Sequence, residues 1–538
     1  MTRNRGSVKE KVMMIFQDTL CKLYMISILC VLPLYTHGSY EQLGDVKYLL
    51  FRNVSFICVG LWLVAAIICF VQQMPAGKEG LQRQAKAWSI MDSCMAAYGG
   101  SVLLSAFLSS YERTAWLGYR DWYMGAVSQL LFVAIYFMIS RCYSDGSLLP
   151  YLGEAAMLFV CVIAFLQRLE IDVLGLHKLF DKRDWEYKHM LSTVGNINWL
   201  CGYLSVAIVF SVSAYLHSEK DWKGAVHYFV SVAGLVLLCI QGSDIGWVLC
   251  AACIGICFVW GLKNIVYIEK SLLLAAGTIF CLPCFAKLVL LRGSMYTFPE
   301  DGNTFERISW QGWWFVLASL LLVIGLIKWQ QKRRWHQSSD KQLVGGGLYD
   351  RKKLPAQKEI PVWKKLFDMR IVAVAVAFVI CVTVIILGLP EDFWKEGRGA
   401  LWKLAWSGFL HADGLQKLVG AGPDCFAEYL HNGVQTSIVI HSSGHWSGAI
   451  FANAHNEWLN QLVNIGLLGA VCYLSIFVAA IKRYRGMLFG VLAVGLYFVN
   501  SLVSFQQVMN APFLFLVLGL CENRKLAHKL LIVKQSAK

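Results

Sequence analysis

Charged residues are scarce in this chain: they account for 15% of its 538 residues, whereas apolar residues account for 57%. Soluble globular domains carry about 25% charged residues, so this shortage, with a mean hydropathy of +0.53, excludes a soluble protein. The chain also lacks the segments of alternating polarity that build outer-membrane barrels, and its run at 371–389 is unbroken and apolar. These absences leave a polytopic helical membrane protein.

Apolar runs long enough to cross about 30 Å of hydrocarbon recur along nearly the whole sequence. We count about fourteen such runs, which predict an all-α fold with about 12–14 transmembrane helices. Their approximate centres are Ile28, Leu61, Ala97, Phe132, Phe159, Ala207, Leu235, Ile254, Ile279, Leu320, Phe378, Val471, Val494 and Leu516. Because each run is predicted to cross once, the connecting segments alternate between the two sides of the membrane.

Lys and Arg concentrate in alternate connecting segments, which the positive-inside rule assigns to the cytoplasm. The basic segments are residues 1–22, 72–87, 330–370, 482–485 and 524–538. No small-x-small cleavage site follows the first apolar run, so we expect an uncleaved first span and two cytoplasmic termini in a multi-pass protein of the cell membrane. The net charge of +15 then reflects topology and attraction to anionic lipid, and no basic-aromatic module indicates a nucleic-acid partner.

Charge and hydropathy divide the chain into N-terminal transmembrane helices at 1–329, a basic cytoplasmic loop at 330–370, a core at 371–523 and a basic cytoplasmic tail at 524–538. The core contains the largest external loop, residues 390–456, which precedes the third-last span. This loop carries more acidic than basic residues, the opposite of the cytoplasmic loops. Long loops between membrane helices are usually functional or disordered. Residues 399–410 predict a helix that lies along the membrane interface.

Most of the 18 cysteines lie inside apolar spans, where a thiol packs as a small hydrophobe. The pairs Cys250/Cys253 and Cys281/Cys284 have metal-ligand spacing but no nearby His or carboxylate, so we interpret them as packing residues. Cys425 stands alone in the large external loop, which argues against a disulfide framework there.

One histidine lies at the predicted mouth of the bundle, directly before the third-last span. His455 and Asn456 precede an apolar run, and nine residues separate Asn456 from the first glycine of Gly466-x-x-Gly469. Such a glycine pair permits close helix packing. Taken alone, a histidine at a helix entrance is more often a cap, and a lone arginine such as Arg398 is most often solvated. The order and spacing of the whole set therefore carry the interpretation.

This C-terminal block resembles the O-antigen ligase and polymerase family of polytopic membrane glycosyltransferases. The resemblance rests on His455-Asn456 with its spaced glycines, and on Arg398-Gly399-Ala400-Leu401-Trp402, Gly420-Ala421-Gly422-Pro423-Asp424-x-Phe426 and Asn196-Ile197-Asn198-Trp199. It implies transfer of a glycan from an undecaprenyl-diphosphate carrier to an acceptor hydroxyl outside the cytoplasmic membrane, in cell-surface polysaccharide assembly. The acceptor would be a polysaccharide, a lipid or a protein, and the lipid bilayer is a further partner.

The resemblance also implies roles for individual residues at an external active site. His455, whose ordinary pKa is about 6.5, would accept the proton of the acceptor, and Arg398 would stabilise the diphosphate. Diphosphate leaves readily, so single displacement predicts inversion at the anomeric carbon, and neither a metal nor a cofactor is implied. The predicted substrate-binding residues are Asn196, Asn198, Asp244, Arg292, Arg307, Asn456 and Glu457.

One position departs from the family pattern. Where the family often has Ser-Arg-Gly, this chain reads Ser243-Asp244-Ile245-Gly246. An arginine expected to hold the lipid diphosphate is absent there, and an ionised Asp244 would repel that group. Arg292, Arg307 and Arg398 are the available substitutes.

Three alternatives remain open from the sequence. A ligase and a repeat-unit polymerase use the same donor and differ only in their acceptor. The acidic pair Glu170-x-Asp172 would suit Mg²⁺ or Mn²⁺, although a hydrated charged loop that continues through Asp181 and Asp184 is the favoured explanation. A flippase or transporter for lipid-linked oligosaccharide suits the number of spans, but no internal repeat is visible and the notable polar residues cluster at one surface.

Overall fold

The computed structural model describes residues 2–73, 88–144, 149–181, 184–262, 264–292, 398–431 and 451–523, with isolated positions between 314 and 325. Several predictions lie outside these residues. They are the span centred on Phe378, most of the span centred on Leu320, the basic segments 330–370 and 524–538, and residues 390–397 and 432–450 of the large loop.

Within the described ranges the chain is almost entirely helical. The helices are α1 (Thr2–Ile26), α2 (Leu43–Gln73), α3 (Ile90–Leu108), α4 (Glu112–Leu117), α5 (Ala126–Cys142), α6 (Leu149–Arg168), α7 (Trp185–His189), α8 (Ile197–His217), α9 (Trp222–Ile240), α10 (Asp244–Gly261), α11 (Ile265–Leu291), α12 (Arg398–His411), α13 (Gly414–Val419), α14 (Phe426–Tyr429), α15 (Glu457–Tyr484), α16 (Leu488–Ser501) and α17 (Ala511–Glu522). Short helical turns at Ser27–Val31 and Leu32–Leu34 extend α1, and another at Tyr40–Gln42 precedes α2. Strands β1 (Met190–Leu191) and β2 (Gly195–Asn196) pair antiparallel, with Met190 opposite Asn196.

Nine helices in the described part of the chain are long and apolar enough to cross a membrane, namely the extended α1, α2, α3, α6, α8, α9, α10, α11 and α15. Three shorter apolar helices, α5, α16 and α17, accompany them. Each of these helices contains one of the span centres predicted from the sequence. The predicted all-α polytopic membrane fold is therefore confirmed.

Helix α8 lies at the centre of the bundle. Its span is 83% buried, the largest share among the described spans, and it packs against α6, α9 and α16. A helix that is apolar on every side needs such a position, because each face requires a partner. On the periphery the apolar side chains point outward instead, and Ile57, Phe107 and Phe229 are more than half exposed. These outward faces suit a lipid environment.

The segments that connect the helices gather at two ends of the bundle. The loop-rich end is formed by residues 35–42, 109–125, 169–196, 241–243, 398–431, 451–456 and 502–510. The opposite end is formed by residues 88–89, 143–144, 218–221 and 485–487. Contacts between distant loops hold the loop-rich end together. The Tyr40 hydroxyl donates to Ser192 O at 2.7 Å, and the Tyr123 hydroxyl donates to Asp45 Oδ1 at 2.7 Å. The Lys and Arg distribution predicts that this end is external.

Helix α15 is not continuous, because its backbone departs from helical geometry at Gly466, where φ is +69°. Residues 420–422 of the large loop fill the break: Ala421 N donates to Val463 O at 3.0 Å, and Gly422 N donates to Asn464 O at 2.8 Å. A Cβ on Gly466 would collide with the Leu418 carbonyl, and a Cβ on Gly420 would collide with the Asn464 carbonyl. The close packing expected at Gly466 thus occurs, but against the end of the short helix α13 and the loop that follows it rather than against another membrane helix.

The helix predicted at residues 399–410 is present as α12 with nearly the same bounds, Arg398–His411. Leu401, Leu404 and Ala405 are buried against the protein, which fixes one face of the helix. Trp406 and Leu410 on the other side are about half exposed although they are apolar. This arrangement agrees with a helix at a membrane interface, and it brings Arg398 to the edge of the bundle.

Candidate functional site

Three segments that are far apart in sequence meet around the side chain of Asn198, at the start of α8. Asn198 Oδ1 accepts a hydrogen bond from Arg398 Nη2 at 3.1 Å and one from Ser243 Oγ at 3.0 Å. Asn196 caps α8, and its side chain accepts from Asn198 N at 2.8 Å. The cap fixes the first turn of α8, so the Asn198 amide is held where α10 and α12 converge.

This arrangement brings Arg398 close to Ser243, because both side chains donate to Asn198 Oδ1. Asp244 occupies the position where the family often has arginine, but Arg398 reaches the neighbourhood from α12 and lies close enough to Asp244 for electrostatic attraction. Of the other two arginines suggested by the sequence, Arg292 is exposed beyond α11 and has no hydrogen bond or ion pair with this cluster among the described residues. Arg307 lies outside the described residues. Of the two arginines that the structure describes, Arg398 is therefore the better placed.

The Arg398 guanidinium keeps its charge in this site. Burial lowers the pKa of Arg398 from its ordinary 12.5, and the nearby Cys201 and Asp244 partly oppose that shift. A guanidinium begins so far above neutrality that a lowered pKa still leaves it protonated. A charged, planar donor that already contacts one amide oxygen suits the binding of an anion such as diphosphate.

His455 lies in the turn before α15, with a left-handed backbone at φ +46°. Its N–H donates to Asn453 Oδ1 at 3.0 Å, and its ring meets the Phe505 ring edge-to-face at 5.3 Å. Burial, together with the positive charge of Arg398, lowers the pKa of His455 from 6.5 to about 4. The imidazole is therefore neutral at neutral pH, so a ring nitrogen can accept a proton.

Asn456 and Glu457 were predicted to bind substrate, but their side chains serve the protein itself. Asn456 Oδ1 accepts from Leu459 N at 3.0 Å as the cap of α15, and its Nδ2 donates to Leu502 O at 2.8 Å. The Glu457 carboxylate points into the bundle, where the hydroxyls of Tyr473 and Tyr497 donate to it. These contacts orient the turn that carries His455, and a direct role in substrate binding stays a prediction.

A polar cavity with room for about one water molecule lies beside His455, between the first turns of α15 and the segment 502–510. Amide side chains dominate its wall. The lining residues are Trp122, Met124, Gln129, Asp424, Asn453, Asn460, Gln461, Asn464, Phe505 and Gln506. Asn464 Oδ1 is buried and has no hydrogen-bond partner among the described residues. We call this space the first cavity.

Phe505 joins the first cavity to the catalytic candidate, because the same ring lines the cavity and contacts His455. The Trp122 ring meets Phe505 edge-to-face at 4.9 Å and forms a second aromatic wall. Amides that donate and accept, beside aromatic faces, match the chemistry of a sugar ring. The hydroxyls of a sugar form hydrogen bonds, and its C–H face packs on aromatic carbon.

Asp424, a residue of the glycine-punctuated turn, anchors the loop that carries Trp122. Its Oδ2 accepts from Tyr119 N at 2.7 Å and from Met124 N at 2.8 Å. Burial raises the pKa of Asp424 to about 7, because the ionised form loses its hydration. Around this anchor the backbone is strained, since Asp121, Tyr123, Asp424 and His455 all have positive φ without being glycine. Strain of this kind tends to cluster at functional sites.

The sequence analysis did not identify the lining of the first cavity. One signal for it existed: within an apolar span, Asn464 follows Asn460 by four residues and Gln461 by three, so the three amides share one helical face. A row of amides inside a membrane span is costly without partners, which marks such a face as functional. Trp122 and Phe505 carried no comparable signal, because isolated aromatic residues are frequent in this chain.

The acidic pair considered for metal binding has other contacts. Asp172 Oδ2 accepts from His177 N at 2.8 Å, and Asp172 Oδ1 accepts from Gln167 Nε2 at 3.2 Å. No group of three or more His, Cys, Asp or Glu side chains suited to a metal ion occurs within the described ranges. The pair therefore adds no residue to the site around His455.

Comparison of the chain with models of known families and with curated proteins found no match. The interpretation of the site therefore depends on its own geometry: an unprotonated histidine, a charged arginine and an amide-lined cavity at one end of a membrane bundle.

Proposed function

We propose that this protein is a membrane glycosyltransferase that transfers a glycan from an undecaprenyl-diphosphate carrier to an acceptor hydroxyl, at the outer surface of the cytoplasmic membrane. The observation that carries the proposal is the contact between Phe505 and His455. Through this contact a candidate proton acceptor adjoins a cavity lined by amides and aromatic rings, and the cluster that includes Arg398 lies near it. A lipid-linked donor would reach this end of the bundle from the bilayer.

The proposed reaction is a single displacement. The acceptor oxygen attacks the anomeric carbon, the bond from that carbon to the diphosphate oxygen breaks, and the diphosphate leaves with the bonding electrons. A ring nitrogen of His455 takes the hydroxyl proton. Attack from the face opposite the leaving group inverts the anomeric configuration.

Arg398 has two effects in this scheme. Its guanidinium stabilises the charge that develops on the diphosphate, as preorganised donors do in other active sites. Before the donor binds, the same charge helps to lower the pKa of His455. A bound diphosphate offsets this charge and raises the pKa of the histidine again, so His455 becomes a stronger base only when the donor is present.

The test uses the full-length protein in proteoliposomes with a lipid-linked glycan and a glycan acceptor. His455→Ala should lower the rate of transfer by about 10²- to 10⁴-fold, the usual contribution of a general base. His411→Ala is the matched control, because His411 is exposed and its Nδ1 lies 2.9 Å from Ser407 O of its own helix. Transfer that continues at the wild-type rate in a correctly inserted His455→Ala protein would refute the proposal.

A repeat-unit polymerase shares this chemistry and differs only in the acceptor. The glycan profile of cells that lack the protein separates the two activities. Lipid-linked long chains accumulate when a ligase is missing, whereas single lipid-linked repeats accumulate when a polymerase is missing.

A flippase for lipid-linked oligosaccharide is the second candidate, and the break in α15 at Gly466 favours it, since broken helices form the substrate sites of many transporters. In this chain, however, the carbonyls of Val463 and Asn464 at the break accept bonds from Ala421 and Gly422. The break is thus filled by protein, which favours the transferase. Product analysis in proteoliposomes distinguishes them, because a flippase relocates its lipid unchanged.

A further inference from the structure

The interior of the first cavity is small, and its wall is strongly polar. It has room for about one water molecule, so a sugar ring, which is several times larger, does not fit inside it. Six polar side chains of the wall are nevertheless more than nine-tenths buried. They are Gln129, Asp424, Asn453, Gln461, Asn464 and Gln506. A ligand held among them is therefore a water molecule or a single ion.

The wall contains oxygen atoms with unused capacity to accept. Asn464 Oδ1 is buried and has no hydrogen-bond partner among the described residues. Asp424 accepts from Tyr119 N and Met124 N on Oδ2, and its Oδ1 has no hydrogen bond within the described ranges. Asn453 Oδ1 accepts one bond, from a backbone N–H at 3.0 Å, and an amide oxygen has a second lone pair. Carboxylate and carbonyl oxygens are the ligands that hard cations prefer.

The charge around the cavity favours a cation over a water molecule. Asp424 is the one ionisable side chain in the described wall, and Glu428 lies close enough to repel its charge. Arg398 does not line the cavity, because it donates to Asn198 and is attracted to Asp244. An ionised carboxylate is costly to bury without a cation, and a water molecule would leave its charge uncompensated.

The same balance of charge selects a monovalent ion. One carboxylate neutralises one positive charge, whereas a divalent cation would bring an excess charge into a buried site. Mg²⁺ also dehydrates reluctantly and usually keeps several water molecules, for which the cavity has no room. Sodium and potassium remain, and neutral amides suit them, because carbonyl oxygens replace the hydration shell of alkali cations in membrane channels.

The broken helix α15 brings these oxygens together. Gly422 N donates to Asn464 O at 2.8 Å, so Asp424, two residues further along the loop, is held close to Asn464. Asn464 itself lies two residues before the break at Gly466. In membrane transporters, the broken ends of helices coordinate sodium through backbone carbonyls. In this chain loop N–H groups occupy the carbonyls at the break, so the side-chain oxygens beside it remain for an ion.

We propose that the first cavity binds one alkali-metal cation, held by the Asp424 carboxylate and by the amide oxygens of Asn453 and Asn464. The ion joins the loop that ends at Asp424 to the first turns of α15 and to the turn at 453–456, which carries His455. It compensates the buried carboxylate and so stabilises this part of the loop-rich end. The inference does not depend on the proposed glycan transfer, because the ion takes no part in that reaction.

The experiment measures binding of radioactive sodium, and of radioactive rubidium as a substitute for potassium, to the full-length protein in nanodiscs. Choline chloride keeps the ionic strength constant. At least one isotope should bind saturably, and the isotope with the higher affinity identifies the preferred ion. Asp424→Asn should weaken binding about tenfold or more, because it removes the charge that attracts the ion but keeps an acceptor for Tyr119 N and Met124 N. Asn464→Leu removes the unpartnered oxygen and should also weaken binding.

Two control variants make the same changes outside the cavity and should bind the ion as wild type does. Asp413→Asn removes an exposed carboxylate that caps α13 in the same loop. Gln507→Leu removes a buried amide that does not line the first cavity. Thermal unfolding gives a second readout. The melting temperature of wild type should rise from choline chloride to the preferred alkali chloride and reach a plateau, whereas that of Asp424→Asn should not rise.

Three outcomes would overturn this inference. Without saturable binding of either isotope, the cavity is a site for water only. Binding that Asp424→Asn and Asn464→Leu both retain lies elsewhere in the protein, and displacement of the isotope by a trace of calcium contradicts a monovalent site. The transfer assay is separate: a cation that binds while His455→Ala leaves transfer unchanged refutes the reaction alone, and transfer that depends on His455 without cation binding refutes the cation site alone.

Discussion

The two ends of the bundle treat buried polar groups differently. At the opposite end, Asp92 accepts from Ser89 N at 2.7 Å, from the Tyr136 hydroxyl at 2.8 Å and from Arg141 Nη2 at 2.7 Å. Lys270 there donates to the carbonyls of Tyr215, Leu216 and Ser218. At or beside the loop-rich end, by contrast, buried side-chain atoms without a partner among the described residues occur in Thr193, Gln241, Asn464, Asn500, Ser504 and Gln507.

This difference suggests that the buried polar groups at the opposite end stabilise the fold, whereas those at the loop-rich end serve a functional site. Carboxylates and ammonium groups at the opposite end have the partners that burial in a membrane protein demands. The loop-rich end instead retains unpartnered amides and six strained non-glycine backbones, both of which cost stability. Such costs persist where a site must be ready for a ligand. The comparison predicts that removing a buried polar side chain costs more stability at the opposite end than at the loop-rich end.

The largest effect on stability is expected for Asp92→Ala at the opposite end. The substitution leaves the Arg141 guanidinium and the buried Tyr136 hydroxyl without their partner, which costs about 3 to 5 kcal/mol for a broken buried pair. Asn464→Leu is the counterpart near the loop-rich end and should leave the unfolding free energy nearly unchanged, since its Oδ1 has no partner to lose. Thermal unfolding in detergent and choline buffer measures both. If both variants lose the same free energy of unfolding, the two ends do not differ in how their buried polar groups contribute to stability.

The next effect concerns the loop that fills the break in α15. Gly420→Ala should destabilise the protein by about 3 kcal/mol, because φ is +81° there and the new Cβ would collide with the Asn464 carbonyl. Gly414→Ala is the matched control, since a Cβ at Gly414 meets nothing within 4 Å. Melting temperatures of the two variants test the pair. If the two variants have the same melting temperature, the loop does not pack tightly in the break.

Arg398→Lys tests which arginine serves the site. Lysine keeps the charge but loses the planar donor that contacts Asn198, so kcat/KM for transfer should fall about 10- to 100-fold. Arg292→Lys makes the same change at an exposed position and should leave kcat/KM unaltered. The reverse pattern in the two variants would assign the diphosphate to Arg292 instead.

The sequence predicted the parts of this molecule that depend on local pattern. Apolar runs located each described membrane helix, and residues 399–410 predicted α12 to within one residue at each end. The sequence also grouped Asn198, Arg398 and His455 on one side of the membrane, and the structure places them at the same end of the bundle. These features follow from hydropathy and charge, which can be determined from the sequence without knowledge of the fold.

Other features depended on contacts that no local pattern encodes. The partner of Arg398 is Asn198, 200 residues away in the sequence. The direction of the Glu457 side chain is set by two tyrosines. Tyr473 lies further along α15, beyond the break at Gly466, and Tyr497 lies on α16. In the sequence, residues 502–510 form only a short connection between two apolar runs. In the structure nearly all of them are buried, and they line the first cavity and a second one beside Trp199.

The smallest expected effect is a pH dependence at Asp424. Its pKa is raised from 3.8 to about 7, so the folded protein binds a proton more tightly and loses stability as pH rises through that window. His455, with its pKa lowered from 6.5 to about 4, contributes the opposite slope, but only below about pH 6.5. Above about pH 6.5 the His455 contribution is constant, and the Asp424 contribution continues to fall only until about pH 7.

Asp424→Asn keeps an oxygen that can accept from Tyr119 N and Met124 N but removes the charge. In choline buffer its free energy of unfolding should match wild type below about pH 4 and exceed it above, by a margin that grows until about pH 7, with about 1 kcal/mol of that margin arising between pH 6.5 and 8. Asp424→Ala loses the acceptor and should melt lower at every pH, which separates the charge from the hydrogen bonds. Parallel curves for wild type and Asp424→Asn would show that the buried carboxylate is as stable as a hydrated one, and that the loop-rich end bears no electrostatic cost at this anchor.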